Sequence, residues 1–164
     1  MAVQQFCTFF LDDHCFGVEV EKVQEVLRPQ KMTQIPLAPS TVKGLINLRG
    51  QIVVAIDLRQ CLDFDEREGA LSANVVLRTD DGAVSLLVDR IGDVMETTED
   101  SFEEAPETLT GAAADLVHGV HKLEDKLMLV LDTEKTIRQA GVQGAVSNSE
   151  GTDVLAEPTS SRGE

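Results

Sequence analysis

The chain has 164 residues, 42% of them hydrophobic, and its 29 acidic against 14 basic side chains give a formal charge of −15. That length suits one domain or two small ones with a globular core, while the charge repels phosphate backbones and anionic lipid headgroups. Trp and Tyr are absent and only six Phe are present, so the aromatic platforms that stack bases are largely missing, and nucleic acid and membrane surfaces are poor partners.

The opening stretch, Met1 to His14, holds no Lys or Arg and lacks the charged start of a signal peptide. No apolar run nears the ~20 residues that span a bilayer, so a cytoplasmic protein without membrane insertion is expected. Val3 to Leu11 and His14 to Val18 read as a hairpin turning at Asp12-Asp13, with Cys7, Phe9, Leu11, Phe16 and Val18 on the core face by alternation. A two-residue turn sets Cys7 opposite Val18 and Cys15 opposite Phe10, so these two cysteines do not face each other. With Cys61 alone and no CxxC, all three read as small hydrophobes in a reducing compartment.

Val20, Val23, Val26 and Leu27 recur at helical spacing up to Arg28-Pro29, which predicts a short amphipathic helix. Lys31 to Ile35 is a candidate strand and Pro36 to Ser40 a loop. Val42 to Leu58 then reads as a central hairpin turning at Leu48-Arg49-Gly50-Gln51, with Gly50 free to take the positive φ that tight turns need. Ile52 to Ile56 carries no polar residue on either face, which predicts a strand covered on both sides. Asp57 is placed to cap a helical turn over Leu58 to Leu62.

Five charges among the six residues Asp63 to Glu68 mark a break between halves. Asn74 to Arg78 and Ala83 to Val88 form a second hairpin across Thr79-Asp80-Asp81-Gly82. Met95 to Glu107 is acidic and poorly patterned, the pattern of a solvated loop. Leu116 to Lys122 and Leu127 to Leu131 make a last hairpin, followed by a short helix, Thr133 to Gln139, capped by Asp132. Residues 139–164 form a tail that is rich in Gly, Ser, Thr and acid from Gly141 onward and is expected to be disordered.

Two blocks of the chain repeat. Phe16 to Leu27 aligns without a gap on Val84 to Met95, and Val42 to Asp57 on Val117 to Asp132, pairing Gly44 with Gly119 and Asp57 with Asp132. Each unit is strand, short helix, strand, strand with close turns, which favours a pair of small, strongly bent sheets or barrels that pack together. The turn Asn47-Leu48-Arg49-Gly50 becomes Lys122-Leu123-Glu124-Asp125 in the second copy, so the special chemistry sits in the first.

Phe16-Gly17-Val18, Val23-Gln24-Glu25-Val26, Val42-Lys43-Gly44, Asn47-Leu48-Arg49-Gly50, Asp57-Leu58-Arg59, Leu87-Val88-Asp89 and Gly92-Asp93-Val94 follow one another in this order. Together they resemble the chemotaxis adaptor family CheW and the regulatory domain of the histidine kinase CheA that shares its fold, over roughly residues 3 to 138. The resemblance implies a mainly β fold of two SH3-like five-stranded barrels with short helices, in one CheW-like domain over residues 1–138, the first barrel mainly 14–67 and the second mainly 70–138. It implies a non-enzymatic adaptor without cofactors that couples methyl-accepting chemoreceptor tips to the regulatory domain of a CheA-type kinase, with itself in rings as a further partner. By matching position, Val23, Glu25, Gly44, Asn47 and Arg49 resemble receptor-facing residues, and Ser85 and Val94 fall at second-barrel positions assigned to the kinase interface. Ala55 stands where the family often has proline and Ser85 where glycine is frequent.

Each of these residues also has a plainer reading. Arg49 at a turn is by base rates a solvated charge. Val23 is equally a core residue of an amphipathic segment or a partly exposed contact, and Gly44 marks either a bulge or a place where a partner's backbone approaches closely. Glu25 is the carboxylate expected to pair with Arg49 if its segment packs beside the hairpin mouth. His14, His118 and His121 are too scattered for a metal site, His118 and His121 being three apart in a strand and so on opposite faces; no nucleophile or phosphate-loop motif is present. The alternatives to a chemotaxis adaptor are a coupling protein of another chemosensory pathway, such as surface motility, a small-ligand sensor using the groove between barrels, and an enzyme with an unrecognised site.

Overall fold

The computed structural model describes residues 3–65, 72–80, 82–107, 109 and 111–141. Eleven strands are present among them: β1 (Val3–Leu11), β2 (His14–Glu19), β3 (Val23–Leu27), β4 (Val42–Leu48), β5 (Gln51–Asp57), β6 (Ala73–Thr79), β7 (Gly82–Val88), β8 (Arg90–Thr98), β9 (Phe102–Glu104), β10 (Val117–Lys122) and β11 (Leu127–Leu131). Three short α-helices accompany them: α1 (Leu58–Cys61), α2 (Gly111–Leu116) and α3 (Thr133–Gln139). The strands form two sheets, β3-β6-β7-β5-β4 and β8-β1-β2-β11-β10-β9. The fold is mainly β, two small sheets of the SH3-like kind expected, the second gaining a sixth, three-residue strand.

The repeat extends to the strand pairings. The parallel pair Val54–Val84 in one sheet answers to Leu129–Phe16 in the other, and Ala55–Ser85 to Val130–Gly17. Asp57 N donates to Thr41 O at 2.7 Å, and Asp132 N to Leu116 O at 2.8 Å. Both aspartates then cap the helix that follows, through Arg59 N and Lys135 N. Each copy, however, contributes its leading hairpin to the sheet of the other: β1 and β2 pair within the sheet of β8 to β11, and β6 and β7 within that of β3 to β5. The sheets therefore do not follow a cut of the chain near residues 67–70.

Three layers of apolar packing result. Phe9, Leu11, Phe16, Val18, Ile56, Leu77, Leu86 and Leu131 belong to the largest cluster, which draws on both sheets. Ile46, Leu48, Val53, Val76 and Leu87 form a cluster within the first sheet, and Phe6, Cys15, Met128 and Val130 one within the second. Strands packed on both faces explain why alternation identified only one buried face of the first hairpin: Phe6 and Cys15 on the other face are also buried. The register of that hairpin is the expected one, Cys7 opposite Val18 and Phe10 opposite Cys15, and all three cysteines are free thiols.

Four expectations are corrected. The segment Val20 to Leu27 is not a helix but one turn of 3-10 helix over Val20–Lys22 followed by β3. Its ladder with β6 slips at Gln24, Val23 and Glu25 facing the adjacent residues Leu77 and Val76, and this bulge produces the three-residue apolar spacing that mimics a helix. Lys31 to Ile35 contributes a single bridge, Thr33 to Leu45, instead of a strand. The acidic stretch after Met95 continues β8 and then forms β9 after one 3-10 turn, because strands at sheet edges carry charge readily on their solvent side. Ile52 is half exposed, so full cover begins only at Val53. The expected disordered tail beyond Gly141 and the second half of the Asp63 to Glu68 break lie outside the described residues.

The two sheets are joined through Arg59 at the start of α1. Its Nη1 donates to Asp89 Oδ2 at 2.7 Å and to Asp12 Oδ1 at 3.0 Å, its Nη2 to Asp12 Oδ2 at 3.3 Å, and its Nε to Asp65 O at 2.7 Å. The guanidinium lies over the Phe64 ring and is buried. Burial opposes its charge, but the Asp12 hydrogen bond and the charges of Asp89, Asp12 and Asp57 more than offset this and raise its pKa.

Candidate functional site

The mouth of the central hairpin is built by a two-residue turn, Leu48 pairing with Gln51 and both Arg49 and Gly50 taking positive φ, 53° and 90°. Asn47 stabilises it by accepting a hydrogen bond from Gly50 N on Oδ1 at 2.9 Å. An arginine held in the left-handed region costs about 1 kcal/mol, so the turn presents this side chain at some expense in stability.

Arg49 Nη2 donates to Glu25 Oε2 in an ion pair, and Gln24 Nε2 approaches the same oxygen at 3.4 Å. Glu25 lies on β3, and Arg49 follows β4; these are the two opposite edges of the five-stranded sheet. The sheet therefore curls until its edges meet, and the ion pair bridges the seam. In the second barrel the crossing from one edge to the other is covalent, β8 running through a single 3-10 turn into β9. The matching positions there hold Asp93 and Glu124, two acids that cannot pair in this way. The Glu25–Arg49 pair thus belongs to the first barrel, and Arg49 keeps most of its side chain in solvent, 66% exposed against 25% for Glu25.

The other anticipated residues are placed as follows. Val23 is half-buried against the large core, and its neighbour Val26 is exposed. Gly44 is buried at a slip in the β4–β5 ladder, and a Cβ there would sit 2.6 Å from Thr33 O. The bulge is realised, and the backbone that approaches Gly44 is the chain's own, at Thr33. Gly119 repeats this in the second barrel, where a Cβ would meet Glu103 O at 2.6 Å. Val94 is exposed on the edge strand β8. Ser85 is a correction: it is fully buried on β7, within the first sheet and not the second, and donates from Oγ to Asn74 Oδ1 at 2.9 Å. It offers no surface to a kinase. Sequence reasoning missed Asn74, Arg78 and the Arg59 cluster; only the Asp57-Leu58-Arg59 motif hinted at the last.

The remaining polar groups serve the fold. His121, buried between the rings of Phe6 and Phe102, is bonded through Nδ1 to Ser101 Oγ at 2.8 Å, and burial lowers its pKa. It lines a cavity of about 260 Å³ together with His118, Gln4 and Glu19, so the slip in the β10 ladder brings to one cavity two histidines expected on opposite faces. Burial and the Asp57 charge push the Cys61 thiol up to about 12, which keeps it protonated and unreactive. Among the described residues no group of three or more His, Cys, Asp or Glu is arranged to hold a metal ion.

The CheW-like domain family matches residues 5–141 of the chain. This chain belongs to the CheW family. It is 32% identical over 139 residues to the chemotaxis protein CheW of Klebsiella aerogenes, covering 82% of this chain and 81% of that one. It is 30% identical over 146 residues to the chemotaxis protein CheW of Treponema pallidum, covering 85% of each. The crystal structure of the scaffolding protein CheW from Thermoanaerobacter tengcongensis superposes with a TM-score of 0.71 at 28% identity, over 79% of this chain and 89% of that one. Membership of the CheW family makes the molecule a chemotaxis scaffold and not an enzyme. No helix among the described residues is long and apolar enough to cross a membrane.

Proposed function

We propose that this CheW-family protein acts in the cytoplasm to couple chemoreceptor signalling tips to the regulatory domain of a CheA-type histidine kinase. The observation that carries the reading is the Glu25–Arg49 pair, which in the first barrel alone joins two sheet edges and leaves a planar donor fork facing solvent. Exposed Val26 and Ile52, on β3 and β5, add apolar area to the same barrel. A receptor helix that brings an apolar stripe and a carboxylate would gain burial and a charge-assisted hydrogen bond there. Val94 on the edge of the second barrel is the candidate kinase contact, while Gly44 and Asn47 support the receptor surface from within by shaping the β4 edge and the turn.

Coupling then needs no chemistry beyond binding: occupancy of one surface changes the affinity of the other by a coupling free energy, and the effect is reciprocal. The test is a titration of purified protein against a receptor signalling-tip fragment and against the kinase regulatory domain, with Arg49→Ala as comparison. The reading expects both partners to bind and the substitution to weaken the receptor arm alone. Failure of the wild-type protein to bind either partner from the same organism would refute it.

A further inference from the structure

The bulge at Gln24 loosens β3 at the point where Glu25 must be held within reach of Arg49. Two side chains of β6 brace the strand on either side of that bulge. At its start, Arg78 Nη1 donates to Glu21 O and to Val23 O, both at 3.1 Å. Beyond its end, Asn74 Nδ2 donates to Arg28 O at 3.2 Å, while Asn74 Oδ1 accepts from Ser85 Oγ at 2.9 Å. Asn74 is 1% and Ser85 0% exposed, so this is a buried polar relay from the sheet centre to the strand that bears Glu25.

The internal repeat supplies a control. The registers Cys7–Val18 and Val75–Leu86 are equivalent, so Asn74 and Ser85 occupy the places that Phe6 and Gly17 hold in the second barrel. There the space is filled by apolar packing, the Met128 side chain lying where a Cβ on Gly17 would come within 2.5 Å of its sulfur. An apolar solution thus exists for this site in the same fold, and a buried amide and hydroxyl are costly unless bonded. Packing alone does not call for Asn74 and Ser85. What distinguishes the first barrel is the charged pair across its seam.

We propose that Arg78 and Asn74 are positioning residues for Glu25: by bracing β3 on both sides of its bulge, they hold the carboxylate that orients Arg49. The consequence for receptor binding rests on the function proposed above; the bracing itself does not. The main test is Arg78→Ala in the full chain, a substitution at an exposed side chain. Amide hydrogen exchange at Glu25, Val26 and Leu27 is expected to accelerate, with the β4–β5 amides unchanged. Affinity for a receptor-tip fragment should weaken about three- to tenfold, as loss of one or two exposed hydrogen bonds implies, with kinase-domain affinity unchanged. Arg78→Lys should recover part of both effects. The double variant Asn74→Val with Ser85→Ala, which replaces the relay by apolar groups, should likewise loosen β3 without loosening the β4–β5 hairpin. Unchanged exchange at the three β3 amides in Arg78→Ala, or equal weakening of both binding arms, would overturn the proposal. Because the exchange measurement needs no receptor, it tests the bracing even if the wild-type protein fails to bind a receptor, an outcome that would refute only the functional reading.

Discussion

Replacing Arg59 by alanine should destabilise the protein by about 3 kcal/mol. The figure follows from its partners. Asp89, with its side chain 6% exposed, sits in the buried half of the cluster, and removing the cation from such a pair costs about 3–5 kcal/mol. Asp12, 51% exposed, sits in the other half, where solvent screening leaves a contribution of about 0–1 kcal/mol. Asp89 Oδ2 keeps one strong hydrogen bond in the variant, from Asp12 N at 2.6 Å, which offsets part of the loss. Because the cluster joins the β1–β2 turn, α1 and the β7–β8 junction, the effect should appear in the global transition. Urea unfolding should show a lower midpoint with an unchanged slope, and melting should fall by roughly 10 °C. Arg59→Met combined with Asp89→Asn, which removes both charges but keeps an acceptor for Asp12 N, should recover a large part of the loss. A destabilisation below about 1 kcal/mol with unchanged slope would show that the cluster is not the joint described here.

Further outcomes are expected elsewhere in the molecule. Gly44→Ala and Gly119→Ala should each destabilise by about 1–3 kcal/mol in thermal unfolding, since the new Cβ would meet a backbone carbonyl that cannot swing aside. His121 resists protonation when folded, so the unfolded state binds its proton first: stability should be complete above the unfolded pKa near 6.5 and decline as pH falls through the window below it. His121→Gln should remove that part of the pH dependence, as unfolding measured on both sides of the window would reveal. Cutting the chain within residues 66–71 should leave two fragments that reassemble when mixed but do not fold singly, because each sheet takes strands from both. Cooperative unfolding of either fragment alone would contradict that. In a double-mutant cycle read by receptor binding, Glu25→Ala and Arg49→Ala should be less than additive in their losses, since either one breaks the same pair.

Features governed by near neighbours were legible in the chain itself. The β1–β2 register follows from a two-residue turn, the caps at Asp57 and Asp132 from one side chain two or three residues before its donor, and the repeat from matched turn and core positions. These are set by interactions within a few residues, which local pattern records. The Glu25–Arg49 pair follows from residue chemistry, although local spacing makes the strand that carries Glu25 resemble a helix. What long-range pairing decides could not be read locally. Val23 to Leu27 is extended because β6, some 50 residues away, offers it an edge and the bulge at Gln24 shifts its face. Ser85 is buried because β7 lies between β6 and β5, and Arg59 is enclosed because two segments distant in sequence bring Asp12 and Asp89 to it, closing the cluster that the nearby Asp65 carbonyl begins. The exchange of leading hairpins between the two copies is likewise a property of the assembled sheets. Similar sequence in both repeats fixes the shape of each unit, but which hairpin completes which barrel depends on where the connecting segments let the strands meet.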